Sequence, residues 1–314
     1  MREVPIYFIA GFLEAGKTKF INEMLADEQF SSGEKTVIIC CEEGFDEYDE
    51  KLLRQTATIV EYCEKPSDFT TQFLKNIDTK YRPERIFIEY NGTWLLSDLA
   101  GLKLPRGWVM VECVTLINFV TFKNYLNNMR QMVSDAVMKS NLVIFNRADA
   151  SLVEEKRSFR KAVRALNPNA EILFDNTDGT MDDGRTEDDL PYDMTADVID
   201  ISDDDFGTWY IDAMDNPQRY EGRTLKLRGM ALYTDNKGNF AFGRRAMTCC
   251  ADDIRAIGFA CEKTSNKPAE NAWIEATVTA KLGYSELHGR DALILELKKF
   301  KSASKPKDDL VYFN

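Results

Sequence analysis

Short apolar runs alternate with segments of helical periodicity through the first 175 residues of the chain. The helical segments are 17–28, 67–80, 117–138 and 151–166. The apolar runs are continuous, as expected of strands that are buried on both faces. They lie at 4–10, 35–40, 57–62, 85–90, 108–114, 141–146 and 171–174. Strand and helix repeated in this order predict an α/β fold with a doubly wound, mainly parallel sheet.

The pattern changes after about residue 175. An acidic stretch containing glycine and proline continues to about residue 200 and predicts a linker or a long surface loop. A short helix is expected at 203–214, followed by strands that alternate apolar and polar residues and are separated by turns. This pattern predicts a small antiparallel barrel or sandwich of OB-like type. The expected domains are therefore 1–176, an acidic linker at 177–204, and a β-rich domain at 205–314.

The formal net charge of the chain is −12. Nucleic-acid binders carry a basic face and anionic lipid attracts basic segments, so this charge argues against both partners. No stretch approaches the roughly 20 apolar residues that span a bilayer, so we expect no membrane insertion and a cytoplasmic location. The seven cysteines are an odd number in a long chain, and in a reducing compartment we expect thiols.

Residues 11–18 read GFLEAGKT and match the pattern G-x-x-x-x-G-K-[ST] in full. The match follows an apolar run and precedes a helical pattern, and this setting distinguishes a phosphate-binding loop from a chance turn. Gly11 lets the chain leave the strand sharply, and Gly16 permits close approach of the backbone. The successive N–H groups would then form an anion site at a helix N-terminus.

The end of this motif has defined roles toward a nucleotide. Lys17 is expected to reach the β- and γ-phosphates, and Thr18 is expected to place its hydroxyl on Mg²⁺. The loop residues expected to contact the nucleotide are Gly11, Glu14, Ala15, Gly16, Lys17, Thr18 and Lys19.

An acidic residue ends the apolar run RIFIEYNG. A carboxylate at this position, Glu89, would lie near Mg²⁺ or its water shell if the strand is a neighbour of the loop. Gly92, which follows shortly after, would offer a backbone N–H to the γ-phosphate. The alternative is that Glu89 is a solvated strand end.

The run NLVIFNRADA places Asn146, Arg147 and Asp149 at the end of another predicted strand. It approximates the N-K-x-D motif of GTPases. Asp149 would accept hydrogen bonds from both N1–H and the 2-amino group of guanine, which adenine cannot supply, and Asn146 would tie this segment to the phosphate loop. The aliphatic stem of Arg147, in place of the usual lysine, can stack on the purine. The alternative is that Asp149 caps a helix.

These motifs resemble those of the CobW-type GTPases, a family of P-loop metallochaperones and metal-insertion proteins. The loop GFLEAGKTKF is similar to G-F-L-G-A-G-K-T-T-L, and RKAVRALNPNAEIL resembles R-x-L-N-P-x-A-x-I. The run CEEGFDEYDEKLL resembles N-E-x-G-x-x-x-x-D. The likeness extends to about residue 176 and implies a P-loop GTPase domain. It implies that Thr18 and Glu89, with Glu42, hold Mg²⁺ or shape the switch region.

The cysteines depart from the pattern of that family, which usually carries C-x-C-C after V-E-L. The corresponding run here, IVEYCEKPSDF, retains only Cys63, and one thiolate cannot form the closed tetrahedral site expected for Zn²⁺. Cys40 and Cys41 end a predicted strand, so with Cys63 they would form a transition-metal site if the second and third strands are neighbours. The alternative is that Cys40 is a core residue and Cys41 an ordinary strand-end residue.

The run RRAMTCCADDIRAIGFACE resembles the β-rich domain of an uncharacterised bacterial family whose genes neighbour permease genes. Adjacent cysteines on a regular strand point to opposite faces, so Cys249 and Cys250 would share a transition metal only at a bulge or turn. Otherwise these two cysteines are structural residues.

Together these features predict a GTP-binding and GTP-hydrolysing switch protein that uses Mg²⁺ and has slow intrinsic turnover. Lys17 would neutralise phosphate charge, and Glu42 or Glu89 would position the attacking water. The resemblance implies handling or insertion of Zn²⁺ or another transition metal, with a metalloprotein as client. The alternative is a nucleotide-binding scaffold or regulator of a membrane permease, without metal transfer. Formation of an oligomer would be a way to supply a missing catalytic group.

Overall fold

Two separate sheets organise the chain, and each has its own apolar core. The computed structural model describes residues 3–28, 30, 33–42, 47–185, 190–234, 240–247, 254–262 and 268–312. The first unit is Met1–Arg185 and the second is Thr186–Asn314.

The first unit contains the predicted parallel sheet. Its strands are β1 Val4–Ala10, β2 Thr36–Cys40, β3 Thr58–Tyr62, β4 Arg85–Glu89, β5 Trp108–Asn118, β6 Leu142–Ala148, β7 Glu171–Asn176 and β8 Met181–Asp182. Their order in the sheet is β3-β2-β4-β1-β5-β6-β7-β8. The short β8 runs antiparallel to β7, whereas the other described pairings are parallel. This arrangement confirms the doubly wound, mainly parallel fold.

Helices cover both faces of this sheet because successive residues of a strand point to opposite sides. On one face Ile9 packs near Ile21 of the first helix, and on the other face Ile6 packs in a cluster with Leu74. The helices are α1 Lys17–Ala26, α2 Glu50–Gln55, α3 Thr71–Tyr81, α4 Phe122–Asn128, α5 Arg130–Lys139 and α6 Val153–Leu166, with 3-10 turns at Pro66–Asp68 and Leu96–Gly101. Among the helices that the structure describes, none is both long and apolar enough to cross a membrane.

The helix predicted at 117–138 is wrong in extent. β5 continues to Asn118 because Ile117 extends its ladder with β6, opposite Phe145. The helical part is then divided into α4 and α5 at Met129, whose backbone angles of φ −128° and ψ 37° lie outside the helical region.

The second unit contains a closed barrel. Its elements are β9 Val198–Asp200, α7 Phe206–Asp215, a 3-10 turn at Pro217–Tyr220, β10 Thr224–Thr234, β11 Phe240–Met247, β12 Arg255–Cys261, β13 Trp273–Ser285, β14 Arg290–Ser302 and β15 Leu310–Tyr312. The order is β15-β11-β12-β14-β13-β10-β9, and pairing of β10 with β11 closes five of these strands into a barrel. Within the barrel β12 and β14 are parallel, and the other neighbours are antiparallel. Of the predicted antiparallel barrel or sandwich, the barrel is confirmed, with one parallel pairing among its otherwise antiparallel strands.

The acidic segment 177–204, expected as a linker, contributes a short strand to each sheet. β8 pairs with β7, and β9 pairs with β10. Between them Tyr192 is buried, and its hydroxyl lies 2.6 Å from the hydroxyl of Tyr220. The strands have only two and three residues, which is too short for an alternating pattern to be visible in the sequence.

Two glycines face each other where β11 pairs with β12. Gly243 and Gly258 are partners in the ladder, and a Cβ on Gly243 would lie 1.9 Å from the carbonyl oxygen of Ile257. Glycine within a strand often marks a site where another backbone approaches closely. This part of the barrel therefore depends on the absence of side chains at both positions.

We expect Gly243→Ala to destabilise the barrel by about 2 kcal/mol or more, because the added methyl group would meet backbone that cannot move aside freely. Gly283→Ala on β13 is the matched control, since its Cβ would meet only the end of the Ile294 side chain, at 3.1 Å. Urea unfolding of the full chain, followed by tryptophan fluorescence, measures both changes. Equal unfolding midpoints for the two variants would contradict this interpretation.

Candidate functional site

The carboxyl ends of the central strands meet at one edge of the parallel sheet. In the ladders Cys40 of β2 and Ile9 of β1 both lie opposite Glu89 of β4. On the other side of β1, Asn118 of β5 lies opposite Asn146 of β6. In open α/β sheets ligands bind outside the carboxyl ends of strands, where the strand order reverses. Glu89 and Asn146, two of the predicted site residues, therefore lie at this edge.

The loop between β1 and α1 has the backbone conformation that its glycines permit. Gly11 has φ 136° and Gly16 has φ 84°, values that favour glycine. A Cβ on Gly11 would also lie 2.3 Å from the carbonyl oxygen of Leu116. Gly16 is the N-cap of α1 and has no side chain to cap the first turn. The N–H groups of that turn are therefore directed at the loop, in the arrangement that binds anions.

The ammonium group of Lys17 is buried inside this loop. Its Nζ donates hydrogen bonds to the carbonyl oxygens of Gly11, at 2.8 Å, and Phe12, at 3.0 Å. It also forms an ion pair with Glu42, and the two side chains are only 2% and 8% exposed. The predicted phosphate ligand is therefore already in contact with a carboxylate, which a phosphate group would have to replace.

Thr18 and Glu89 lie in direct contact, as expected if both face one cation. The hydroxyl of Thr18 donates to Oε1 of Glu89 at 2.7 Å. The other carboxylate oxygen accepts from the hydroxyl of Tyr48 and from the Cys40 thiol, at 3.6 Å for the sulfur. Burial, and then the charge of Glu89, raises the pKa of Cys40 to about 12. Burial and Glu89 likewise raise the pKa of Tyr48.

Tyr48 is a member of the site that its sequence context does not predict. It lies in the acidic connection between β2 and α2. The sequence there shows an aromatic residue among carboxylates, and this pattern alone does not indicate a contact with Glu89. Since its hydroxyl and the Cys40 thiol are both neutral donors, they hold the Glu89 carboxylate in place without neutralising its charge. The hydroxyl of Thr18 and the carboxylate of Glu89 are hard oxygen ligands of the kind that Mg²⁺ binds.

The turn after β4 packs directly on the phosphate loop. A Cβ on Gly92 would lie 2.4 Å from the carbonyl oxygen of Gly11 and 2.5 Å from Cα of Phe12. The preceding residue, Asn91, donates from Nδ2 to the carbonyl oxygen of Cys41 at 3.1 Å. This turn therefore links the loop to the end of β2, next to Glu42.

The segment after β6 contacts the phosphate loop from the other side. Asn146 donates from Nδ2 to the carbonyl oxygen of Ala15 at 2.5 Å. Its Oδ1 is buried and has no hydrogen-bond partner among the described residues, so the amide retains one acceptor for a ligand or water. A Cβ on Gly16 would lie 2.9 Å from this amide nitrogen, which explains why the position needs glycine.

Arg147 and Asp149 are exposed beyond Asn146. Arg147 has φ 53°, an uncommon conformation for a residue other than glycine. Oδ1 of Asp149 accepts from the backbone N–H of Ser151, at 2.8 Å, and from its hydroxyl, at 2.6 Å. The bond from the hydroxyl and the bond from the backbone lower the pKa of Asp149. This carboxylate is therefore held in a turn at the surface.

The three cysteines proposed as one metal site are divided between two faces of the sheet. Cys40 contacts Glu89, whereas Cys41 and Cys63 are buried together on the opposite face. The division follows because consecutive residues of an extended strand point to opposite sides. The interaction between the Cys41 and Cys63 thiols raises the pKa of Cys41 and lowers that of Cys63. Within the described ranges, no group of three or more His, Cys, Asp or Glu side chains could hold a metal ion.

The remaining predicted ligands have no described contact with the other site residues. Lys19 is exposed on α1 and pairs with Glu23 at 3.4 Å. Glu14 lies in the loop with φ 62°. Cys249 and Cys250 lie outside the residues that the structure describes.

Comparison with known families agrees with the two-unit organisation. The profile of the family described as CobW/HypB/UreG, nucleotide-binding domain, matches residues 5–174. The profile described as DUF1980 C-terminal domain matches residues 177–313. Among solved structures, the chain is similar to the hydrogenase maturation factor HypB from Archaeoglobus fulgidus. The identity is 13% and the TM-score 0.40, over 56% of this chain and 82% of that chain. No curated protein is significantly similar to the chain.

We expect Gly92→Ala to displace the phosphate loop, because the added methyl group would overlap two backbone atoms of that loop. The variant should lose about 1–3 kcal/mol of stability, and hydrogen exchange should become faster in residues 11–18. Gly101→Ala is the control, since a Cβ there would meet nothing within 4 Å. Hydrogen exchange measured by mass spectrometry compares the two variants. A wild-type exchange pattern in Gly92→Ala would show that the turn does not support the loop.

Proposed function

The chain belongs to the CobW/HypB/UreG family, whose nucleotide-binding domain it carries over more than half of its length, and from this premise we propose that it is a GTP-binding and GTP-hydrolysing switch protein. The observation that carries the proposal is that three features of a nucleotide site lie together at one edge of the sheet. These are the phosphate loop, the contact of Thr18 with Glu89, and the contact of Asn146 with Ala15.

Binding of the triphosphate would begin with an exchange at Lys17. A buried ammonium requires a nearby negative charge or hydrogen-bond acceptors, and here it has Glu42 and two carbonyl oxygens. A phosphate oxygen offers the same charge together with bonds to the N–H groups that begin α1. We propose that the phosphates displace Glu42, so that nucleotide binding moves the segment that follows β2.

The residues present fit a magnesium ion. Thr18 and Glu89 supply a hydroxyl and a carboxylate, 2.7 Å apart, at the mouth of the loop, and Mg²⁺ is usually bound by one or two carboxylates together with substrate phosphates. When bound, Mg²⁺ neutralises charge on the β- and γ-phosphates. In this arrangement Thr18 would turn its hydroxyl from Glu89 toward the ion.

Two carboxylates are candidates for positioning the attacking water. Glu42 would be released from Lys17 by the incoming phosphate, which leaves a free acceptor beside the γ-phosphate. Glu89 is held by Tyr48 and Cys40 and is therefore the less mobile of the two. We assign Lys17 to charge neutralisation and Glu42 or Glu89 to the water, with slow turnover as the expected result.

Selectivity for guanine would come from Asp149. Its Oδ1 is engaged by Ser151, and the carboxylate can still accept from N1–H and the 2-amino group of guanine, since an ionised carboxylate offers about four acceptor sites. Asn146 would hold this segment against the phosphate loop, and the stem of Arg147 would cover one face of the purine.

Metal handling enters the proposal only through Cys41 and Cys63. Their two thiols would supply half of a tetrahedral sulfur-rich site, so a client metalloprotein would have to provide the other ligands for Zn²⁺ or a similar ion. Regulation of a membrane permease by the nucleotide state, without metal transfer, is the alternative output.

We expect Asp149→Asn to weaken GTP binding by about 10- to 100-fold, because the guanine donors lose a charged acceptor. The same change should improve binding of xanthosine triphosphate, whose 2-oxo group can accept from the new amide. Asp178→Asn is a matched control. Asp178 is exposed and accepts from the N–H and hydroxyl of Thr180, as Asp149 does from Ser151.

Displacement of a fluorescent guanine nucleotide by each triphosphate measures these affinities. The control variant should bind GTP as the wild type does. Asp149→Asn with unchanged affinity for both triphosphates would contradict the assignment of base recognition to this residue.

A further inference from the structure

Two thiols lie side by side where β2 and β3 end. Cys40 lies opposite Tyr62 in the parallel ladder, and the ladder continues with a hydrogen bond from the Cys63 N–H to the Cys40 carbonyl oxygen, at 2.8 Å. Cys41 and Cys63 are thus the residues that directly follow these two adjacent strands. Such strands lie about 4.8 Å apart, within the range of roughly 4.4–6.8 Å that Cα atoms span across a disulfide.

The side chains of these two cysteines point the same way. Cys41 and Cys63 are 1% and 2% exposed and belong to one apolar cluster with Phe69 and Tyr90. A third thiol, Cys40, contacts Glu89 on the opposite face. The geometry therefore selects Cys41 and Cys63 as partners.

Cys41 is also a junction between the parts of the nucleotide site. Its N–H donates to the carbonyl oxygen of Glu89 at 2.8 Å, and its own carbonyl oxygen accepts from Asn91 at 3.1 Å. The next residue along the chain is Glu42, the partner of Lys17. A covalent change at Cys41 would therefore affect Glu89, the turn at Gly92 and Lys17 together.

We propose that Cys41 and Cys63 form a reversible disulfide with hydrogen peroxide as oxidant, and that this bond weakens GTP binding. The thiolate of Cys63 would attack the peroxide oxygen, giving a sulfenic acid and releasing water after protonation. The Cys41 thiol would then attack that sulfur and release a second water. Two thiols and one hydrogen peroxide thus give one disulfide and two waters, and the two electrons pass from sulfur to the peroxide.

The effect on GTP follows from the burial of Glu42, and this part rests on the proposed function. Phosphate binding requires Glu42 to leave Lys17. The Glu42 side chain is only 8% exposed, and we infer that its departure moves the backbone at 41–42 away from the loop. A disulfide would hold Cys41 against the end of β3 and so keep Glu42 on the ammonium. We expect GTP affinity to fall by about tenfold, a typical coupling between two linked sites.

The test treats the full chain with hydrogen peroxide and maps its peptides by tandem mass spectrometry. The expected product is a peptide linking Cys41 to Cys63 with the loss of two hydrogens, and dithiothreitol should restore the thiols and the GTP affinity. Cys41→Ser and Cys63→Ser should each abolish the link and keep GTP affinity insensitive to peroxide. Cys113→Ser is the matched control, since Cys113 is also a buried thiol of the same unit and should leave the response unchanged.

Two results would overturn the inference. One is that folded protein treated with peroxide forms no bond between Cys41 and Cys63. The other is that the bond forms and GTP affinity does not change. If the reduced wild type fails to bind GTP, the proposed function is wrong, while the peptide map still reports whether the two cysteines form the bond.

Discussion

The buried charge of Lys17 is the constraint on which the rest of the site depends. An ammonium group removed from water requires compensation, and the chain supplies it with two loop carbonyl oxygens and the carboxylate of Glu42. These contacts place the loop backbone around Lys17 and connect the residue Glu42, just after β2, to the loop. The lysine of the loop is therefore bound to the backbone of the same loop. The ion pair between Lys17 and Glu42 must break for a phosphate to bind Lys17, so Glu42 is the residue that has to move.

Residues that follow β4 and residues of β6 contact this loop from its two sides. Gly92 lies against Gly11 and Phe12 from the side of β4, and Asn146 bonds Ala15 from the side of β6. Both contacts come from residues at the carboxyl ends of parallel strands, where a doubly wound sheet places its ligands. Residues far apart in the chain thus contact a single loop of backbone.

The alternation of buried strands with helices was sufficient to predict the parallel sheet, and the glycines with Lys17 and Thr18 were sufficient to predict the loop. The helix at 117–138 was misjudged because Ile117 serves the strand β5, which an apolar pattern cannot reveal. The sequence groups Cys41 with Cys63 on the condition that the second and third strands are neighbours, and the strand order meets that condition. The contact of Tyr48 with Glu89 depends on packing between distant segments. Local sequence patterns carry little information of that kind.

The most direct test of the account is magnesium-dependent binding and hydrolysis of GTP by the intact chain, measured by titration calorimetry and phosphate release beside ATP. GTP should bind and turn over slowly, and ATP should bind more weakly. Lys17→Ala should lose binding, whereas Lys51→Ala, at an exposed position on α2, should behave as the wild type. A wild-type chain that binds no GTP, or a Lys17→Ala variant that binds it equally well, would contradict the account.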